Sequence, residues 1–157
     1  MDGMAHTTTI RTATRADLRA LIAIFAADAL GGHGDTTEER AYDDYVRAFD
    51  RIEASPNDTL FVAEIGGEIV GTFQTTVLSS LPGRGSSSLL LEAVQTRQDR
   101  RGRGIGEAMI RFAIEEARRQ GLGKIQLTSN AVRKDAHRFY ARLGFEPSHI
   151  GFKLRLK

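Results

Sequence analysis

The chain of 157 residues predicts a mixed α/β fold, a central sheet covered by helices. Three observations carry that expectation. Helical and strand periodicities interleave along the chain. One hairpin is sharply marked at Gly66-Gly67. A hydrophobic share of 41% suffices for one core in a chain of this length. No repeat, low-complexity tract or linker divides the sequence, so residues 1–157 read as a single domain, with 1–6 as a loose leader.

Thr7 to Thr12 reads as the first strand. Thr14, with Asp17 three residues on, has the pattern of a capping box. It opens a helix with Leu18, Leu21, Ile22 and Phe25 on one face, ending near Gly31-Gly32. Thr36 and Glu39 repeat the signal for a second helix, with Tyr42, Tyr45, Val46 and Phe49 inward, which ends before Pro56. Asp58 to Ile65 and Glu68 to Val77 form the hairpin, and Leu81 to Gly85 a loop. Ser87 to Thr96 is a long strand. Arg103 to Gln120 is a helix with Ile105, Met109, Phe112 and Ala113 inward, and Gly121 stops it. On its outer face Glu107 should pair with Arg111 and Glu115 with Arg119. Lys124 to Ser129 is a strand, and Asp135 to Leu143 a helix stopped by Gly144. Phe145 to Lys157 supplies one or two closing strands, since Phe152, Leu154 and Leu156 alternate with Lys153, Arg155 and Lys157.

Composition excludes several function classes. With no cysteine, disulfides, thiolate nucleophiles and Cys-based metal sites are out, and a cytoplasmic setting is the expectation. No basic leader with an apolar run and no apolar stretch of membrane-spanning length is present, so no membrane association is expected. A net charge of +2 from 22 basic and 20 acidic residues gives no broad attraction to nucleic acid. No histidine pair has metal-ligand spacing, so no metal is expected.

The segment Arg100-Arg101-Gly102-Arg103-Gly104-Ile105-Gly106 lies between an apolar strand and a helix and is suited to a pyrophosphate. Its glycines permit tight turning, and the helix start and flanking arginines favour an anion. It is not a P-loop, because no Gly-Lys-Ser/Thr follows at the required spacing. The dinucleotide fingerprint fails as well, since its third glycine position falls on Glu107 or Met109. Arg101-x-x-Gly104-x-Gly106 after a strand instead resembles the coenzyme A loop of the GNAT family of N-acetyltransferases. A second block, Ala136 to Phe145 with Tyr140, Gly144 and Phe145, resembles the family's downstream motif. The likeness covers residues 9–157 and is strongest from Leu89 to Phe145.

That resemblance implies a mostly antiparallel sheet with one splayed parallel strand pair, and acetyl-CoA as the acyl donor. It places Val94 and Thr96 along pantetheine and the amides of Arg101, Gly102, Arg103, Gly104, Ile105, Gly106 and Glu107 around the pyrophosphate. It makes Tyr140 the acid that protonates the leaving thiolate; on periodicity alone, in phase with Ala136 and Leu143, Tyr140 reads first as a core aromatic. Glu92, alone in the apolar run Leu89 to Val94, is the candidate base, directly or by positioning a water, if burial raises its pKa, or else a solvated or arginine-paired glutamate. Arg133 stands where the family often has asparagine, and Asn130 is the substitute for that pantetheine contact. The acceptor, a small-molecule or peptide amine, is expected between Asp28–Asp44 and Leu78–Ser88. There Asp28, Asp35, Glu38, Glu39, Asp43 and Asp44 suit a cation, and Arg84 a carboxylate. His149 could line that pocket. Family members often dimerise, so a homodimer is one open state. The implied function is direct N-acetyl transfer to a primary amine; a non-catalytic acyl-CoA-binding or sensor domain on the same fold is the alternative.

Overall fold

A computed structural model describes residues 7–28 and 33–157. Five strands, β1 (Thr9–Thr12), β2 (Asp58–Ile65), β3 (Glu68–Leu78), β4 (Ser88–Thr96) and β5 (Lys124–Gln126), form one sheet in sequence order. The β1–β4 pairings are antiparallel and β4–β5 is parallel, so the sheet is mixed as predicted. The hairpin turns at Gly66 (φ 57°) and Gly67 (φ 83°), the positive dihedrals of a primed turn.

Helices α1 (Leu18–Ala26) and α2 (Tyr42–Ala54) cover one face of the sheet. Leu18, Leu21, Ile22 and Phe49 bury there with Leu60 and Val62. Helix α3 (Ile105–Arg119) covers the other face, burying Ile105, Met109, Ile110 and Ala113 against Phe61, Phe73 and Leu91. Phe61 stacks on Phe73 at 4.9 Å between centroids, and Phe112 meets both edge-on. Alternation explains the two cores: Phe61 and Ala63 go one way, Leu60 and Val62 the other. Helix α4 (Lys134–Arg142) follows β5.

Several boundaries move. The first strand begins at Thr9, not Thr7. The capping box is present, with the Thr14 N–H donating to the Asp17 carboxylate at 2.7 Å, but it opens a 3-10 turn that becomes α1 at Leu18. That helix ends at Ala26, and Gly31-Gly32 fall outside the described residues. Thr36 lies ahead of the second helix, its hydroxyl accepting from the Glu38 N–H, and a 3-10 turn from Glu39 leads into α2. Leu81–Gly85 contains a tight turn with Gly83 and Arg84 left-handed. Glu107 pairs with Arg111 at 2.7 Å as expected, but Arg119 takes Glu116 and Arg118 takes Glu115, each three residues back. The strand from Lys124 stops at Gln126 rather than Ser129.

The largest departure concerns Phe145–Lys157, which forms no strand. Ile150, Phe152, Leu154 and Leu156 are 82 to 91% exposed. The alternation is that of a strand, but a strand needs an edge to pair with, and within one chain this segment lies on none.

Candidate active site

Strand β5 touches β4 only through Ser88–Lys124, Leu89–Ile125 and Leu90–Gln126. Beyond Leu90 the parallel strands part, because β5 ends at Gln126 while β4 continues to Thr96. On the β3 side the register slips: Glu92 pairs with Gln74 and Gln95 with Thr72, so Ala93 and Val94 together oppose Phe73. This is a β-bulge, and it holds Ala93 at φ 51°, a conformation that costs a residue with a Cβ. Among the described residues, Arg84 (φ 61°) is the other non-glycine held there. Such strain persists where surrounding structure imposes it, commonly at functional sites.

After β4 the chain passes through a 3-10 turn, Gln98–Arg100, into α3, whose N-cap is Gly104. Gly102 (φ 77°) and Gly104 (φ 80°) are required by conformation, not crowding, since a Cβ on either meets nothing within 4 Å. Gly106 is the reverse case. A Cβ there would lie 3.4 Å from the Phe139 ring and 3.8 Å from the Thr96 hydroxyl. The start of α3, the end of β4 and α4 therefore converge, and the first N–H groups of that helix have no partner within it, the kind of donor that suits an anion. The arginines divide. Arg97 bonds Asp99 at 2.6 Å and Glu68 at 3.3 Å, and Arg100 bonds Glu68 at 3.0 Å, so both fasten the loop to β3. Arg101 stays beside the glycines, its Nε donating to the Thr96 carbonyl at 3.4 Å, and Arg103 is exposed.

A polar cluster closes the other side. Asp28 accepts from Arg133 at 2.6 Å and from the Gln95 side-chain amide at 2.8 Å, linking the end of α1, the stretch of β4 that has no β5 partner and the approach to α4. Burial pushes the Tyr140 hydroxyl above its ordinary pKa of 10, and the positive charge of Arg133 pulls it back. Tyr140 is packed edge-on between Phe139 and Phe145, at 5.2 and 5.7 Å between centroids. Of this cluster, Gln95 carried no signal in the sequence; it is a polar residue at ordinary strand spacing. Arg133 was visible only as a departure from a motif.

The remaining candidates fare unevenly. Val94, Thr96 and Gly106 are partly buried around the parted strands, and Ile105 is buried. Glu92 is exposed, so the burial on which its expected role as base rested is absent. Asn130 is also exposed: its side-chain oxygen accepts from the Val132 N–H at 3.0 Å, and its carbonyl meets His137 Nε2 at 2.9 Å, closing the turn before α4. Most acids near the expected acceptor entrance are tied internally, Glu39 to Arg19, Glu38 to Arg40, Asp44 to Arg47 and Asp35 to the Tyr45 hydroxyl. His149 is exposed and bonded to Ser148. An open cavity of about 530 Å³, lined in part by Ala23, Ile24, Ile69 and Arg97, lies toward α1 and not between β4 and α4. No group of three metal-ligating side chains is present among the described residues, and none of their helices is long and apolar enough to cross a membrane.

Residues 19–145 match the family described as Acetyltransferase (GNAT) family. A crystal structure of a transcriptional regulator from Bacillus halodurans is similar over 96% of this chain and 100% of that one, with a TM-score of 0.91 and 41% identity. An aminoalkylphosphonate N-acetyltransferase of Salmonella typhimurium is 46% identical over 52 residues, 33% of this chain and 34% of that protein. An uncharacterized N-acetyltransferase of Methanocaldococcus jannaschii is 35% identical over 95 residues, 59% of this chain and 41% of that protein. The matched stretches thus span about a third to two fifths of these two curated relatives.

Proposed function

The chain belongs to the GNAT acetyltransferase family, and we propose on that premise that it transfers an acetyl group from acetyl-CoA directly to a primary amine. One observation carries the reading: β4 and β5 part beside a Gly104-capped helix start and a buried-side Tyr140. The freed edge of β4 from Leu91 to Thr96 offers main-chain groups to an extended pantetheine arm, as a sheet edge does to an added strand. The amides from Arg101 to Glu107 suit the pyrophosphate. In the reaction the neutral amine nitrogen bonds the thioester carbon, the C–S bond breaks, the sulfur takes the Tyr140 proton, and the proton the nitrogen sheds as the amide forms returns through water to the tyrosinate. Burial favours the protonated phenol, the form this step needs. The bulge at Ala93–Val94 would aim a main-chain N–H at the carbonyl oxygen as it gains charge. Glu92, exposed, fits removal of the ammonium proton through water better than direct contact. Asn130 is kept as a secondary pantetheine contact through its turn.

The Salmonella relative's name describes an amine that also carries an anion. Aminoalkyl acids are therefore first among acceptors to try, and binding one through Asp28 and Arg133 would exchange their mutual ion pair for the acceptor's two charges. The Bacillus halodurans protein's name raises regulation; here Glu68 and Asp99 neutralise Arg97 and Arg100, leaving charge suited to a compact anion more than to a nucleic-acid backbone. We read 1–157 as one domain, with a cytoplasmic setting from the lack of cysteine.

Thermal unfolding with acetyl-CoA and CoA, against ATP and NAD, tests the donor site. At a hundred-fold excess over Kd the expected stabilisation is about 2.7 kcal/mol, or roughly 5 to 10 °C. A shift shared by ATP and NAD reduces the loop to a general anion site and overturns the proposal. A CoA-specific shift without thiol release across an amine panel leaves the sensor alternative.

A further inference from the structure

From Arg118 to Lys157 no residue is buried, and helix α4 lies wholly within that stretch. Its Phe139 and Tyr140 pack against the core only partly buried. Packing of that kind holds a helix loosely, yet the chemistry proposed above needs the Tyr140 hydroxyl at a fixed place. The firmer hold is polar. Arg133, the N-cap of α4, reaches Asp28 at 2.6 Å across 105 residues of chain. With side chains 25 and 7% exposed, theirs is the least exposed ion pair among the described residues.

Asp28 is itself anchored to the well-packed part of the molecule. Its N–H donates to the Phe25 carbonyl in the last turn of α1, whose Leu21, Ile22 and Ile24 are buried. Its carboxylate also accepts from Gln95, which pairs with Thr72, a wholly buried residue whose hydroxyl donates to the Phe61 carbonyl at 2.7 Å. The bulge brings Gln95 there. Thr72 and Gln74 share a face of β3, so their partners Gln95 and Glu92 share a face of β4 despite an odd separation in sequence. On the other side of the contact, the Arg133 carbonyl accepts from the His137 N–H at 3.1 Å, so Arg133 moves with the helix. Tyr140 stands two turns further along the same helix face.

We propose that Asp28 is a positioning residue: through Arg133 it holds α4, and with it the Tyr140 hydroxyl, in place beside the bulge of β4. Phe139 and Phe145 pack on Tyr140 from its own segment, so the ring keeps that cover without the tether; the place of its hydroxyl depends on it. An aminoalkyl acid seated between Asp28 and Arg133 would take over the link rather than break it. The catalytic consequence rests on the acetyl-transfer reading, and the mechanical one does not.

Steady-state kinetics and hydrogen exchange on the full chain test both. Asp28→Asn should lower kcat about 10- to 100-fold, the scale of a misplacement near 1 Å, while the KM for acetyl-CoA moves by no more than about threefold. In a Tyr140→Phe background the same substitution should change kcat by less than about twofold, because the group it positions is gone. A merely structural loss would act equally in both backgrounds. Amides of Lys134–Arg142 should exchange faster in Asp28→Asn, with β2, β3 and the middle of α3 unchanged. Gln95→Met, which keeps the ion pair and removes one donor from Asp28, should give the same pattern at smaller size, and it carries the test if Asp28→Asn does not fold. Full kcat in the variants, equal losses in both backgrounds, or unchanged exchange across α4 each overturn the proposal. A wild type that transfers no acetyl group to any amine overturns the transfer reading instead, and the exchange of α4 still decides the tether.

Discussion

Tyr140 is where burial and charge meet the proposed chemistry. Burial raises its pKa above 10 and Arg133 opposes that rise, so the phenol remains a proton donor throughout the neutral range. Tyr140→Phe should lower kcat by about 100-fold or more while the KM for acetyl-CoA changes little; unchanged turnover excludes it as the acid. Arg133→Gln removes the lowering influence, so tyrosinate formation, followed by ultraviolet titration against Tyr140→Phe, should move to higher pH, and a downward move contradicts the charge argument. Tyr140 was legible because it sits in a compact motif with Gly144 and Phe145. The environment of Glu92 was not, because strand alternation fails at a bulge: the extra residue at Ala93 leaves Glu92 and Ala93 both exposed. That bulge gives its own prediction. Ala93→Gly should match or exceed wild-type stability, relieving a left-handed strain, whereas Ala93→Val should cost about 1 to 2 kcal/mol in denaturant unfolding.

The start of α1 shows how one carboxylate can hold three elements. Asp17 is 8% exposed and takes both arms of Arg11, at 2.8 and 3.0 Å, while Arg11 also reaches Glu64 on β2. The Arg11 guanidinium holds the Asp17 carboxyl below its ordinary 3.8 against the opposing effect of burial, with the Thr14 N–H adding to the lowering. Because the folded pKa lies below the unfolded one, this stabilisation is complete above about pH 4 and fades as pH falls through the folded value. Asp17→Asn should therefore cost roughly 1 to 3 kcal/mol near neutral pH and flatten the acid limb of stability; an unaltered acid limb would show that other carboxylates set it. Capping residues marked this helix start correctly in the sequence, yet a 3-10 turn intervened before the α-helix, as it did before α2. Caps specify where a chain turns, and not how many residues it takes to reach helical pitch. On α3, side-chain reach selected the three-residue spacing for Arg118 and Arg119, an exposed choice that packing does not determine. Gly104→Ala at the head of that helix should cost about 1 to 2 kcal/mol for its left-handed φ and raise the KM for acetyl-CoA; an unchanged KM would detach the loop from the donor.

The molecule as a whole is unevenly held. Both cores lie between β1–β4 and the helices α1, α2 and α3, while β5, α4 and the final segment contribute only partly covered side chains. Interleaved periodicities made that architecture legible, since each element carries its own pattern. The fate of the final segment was not, because alternation marks a face fit to be covered without supplying the sheet edge that a strand needs. Local stability follows buried contact, so amide exchange should divide the protein in two. Strands β2 and β3 and the middle of α3 should exchange only through global unfolding. Strand β5, α4 and residues 150–157 should open at a lower free energy, in one step. That lower step should close progressively with acetyl-CoA, which on the proposed reading bridges the α3 start and α4. An opening of this region that stays indifferent to saturating acetyl-CoA would detach α4 from the donor site and remove Tyr140 from the proposed chemistry.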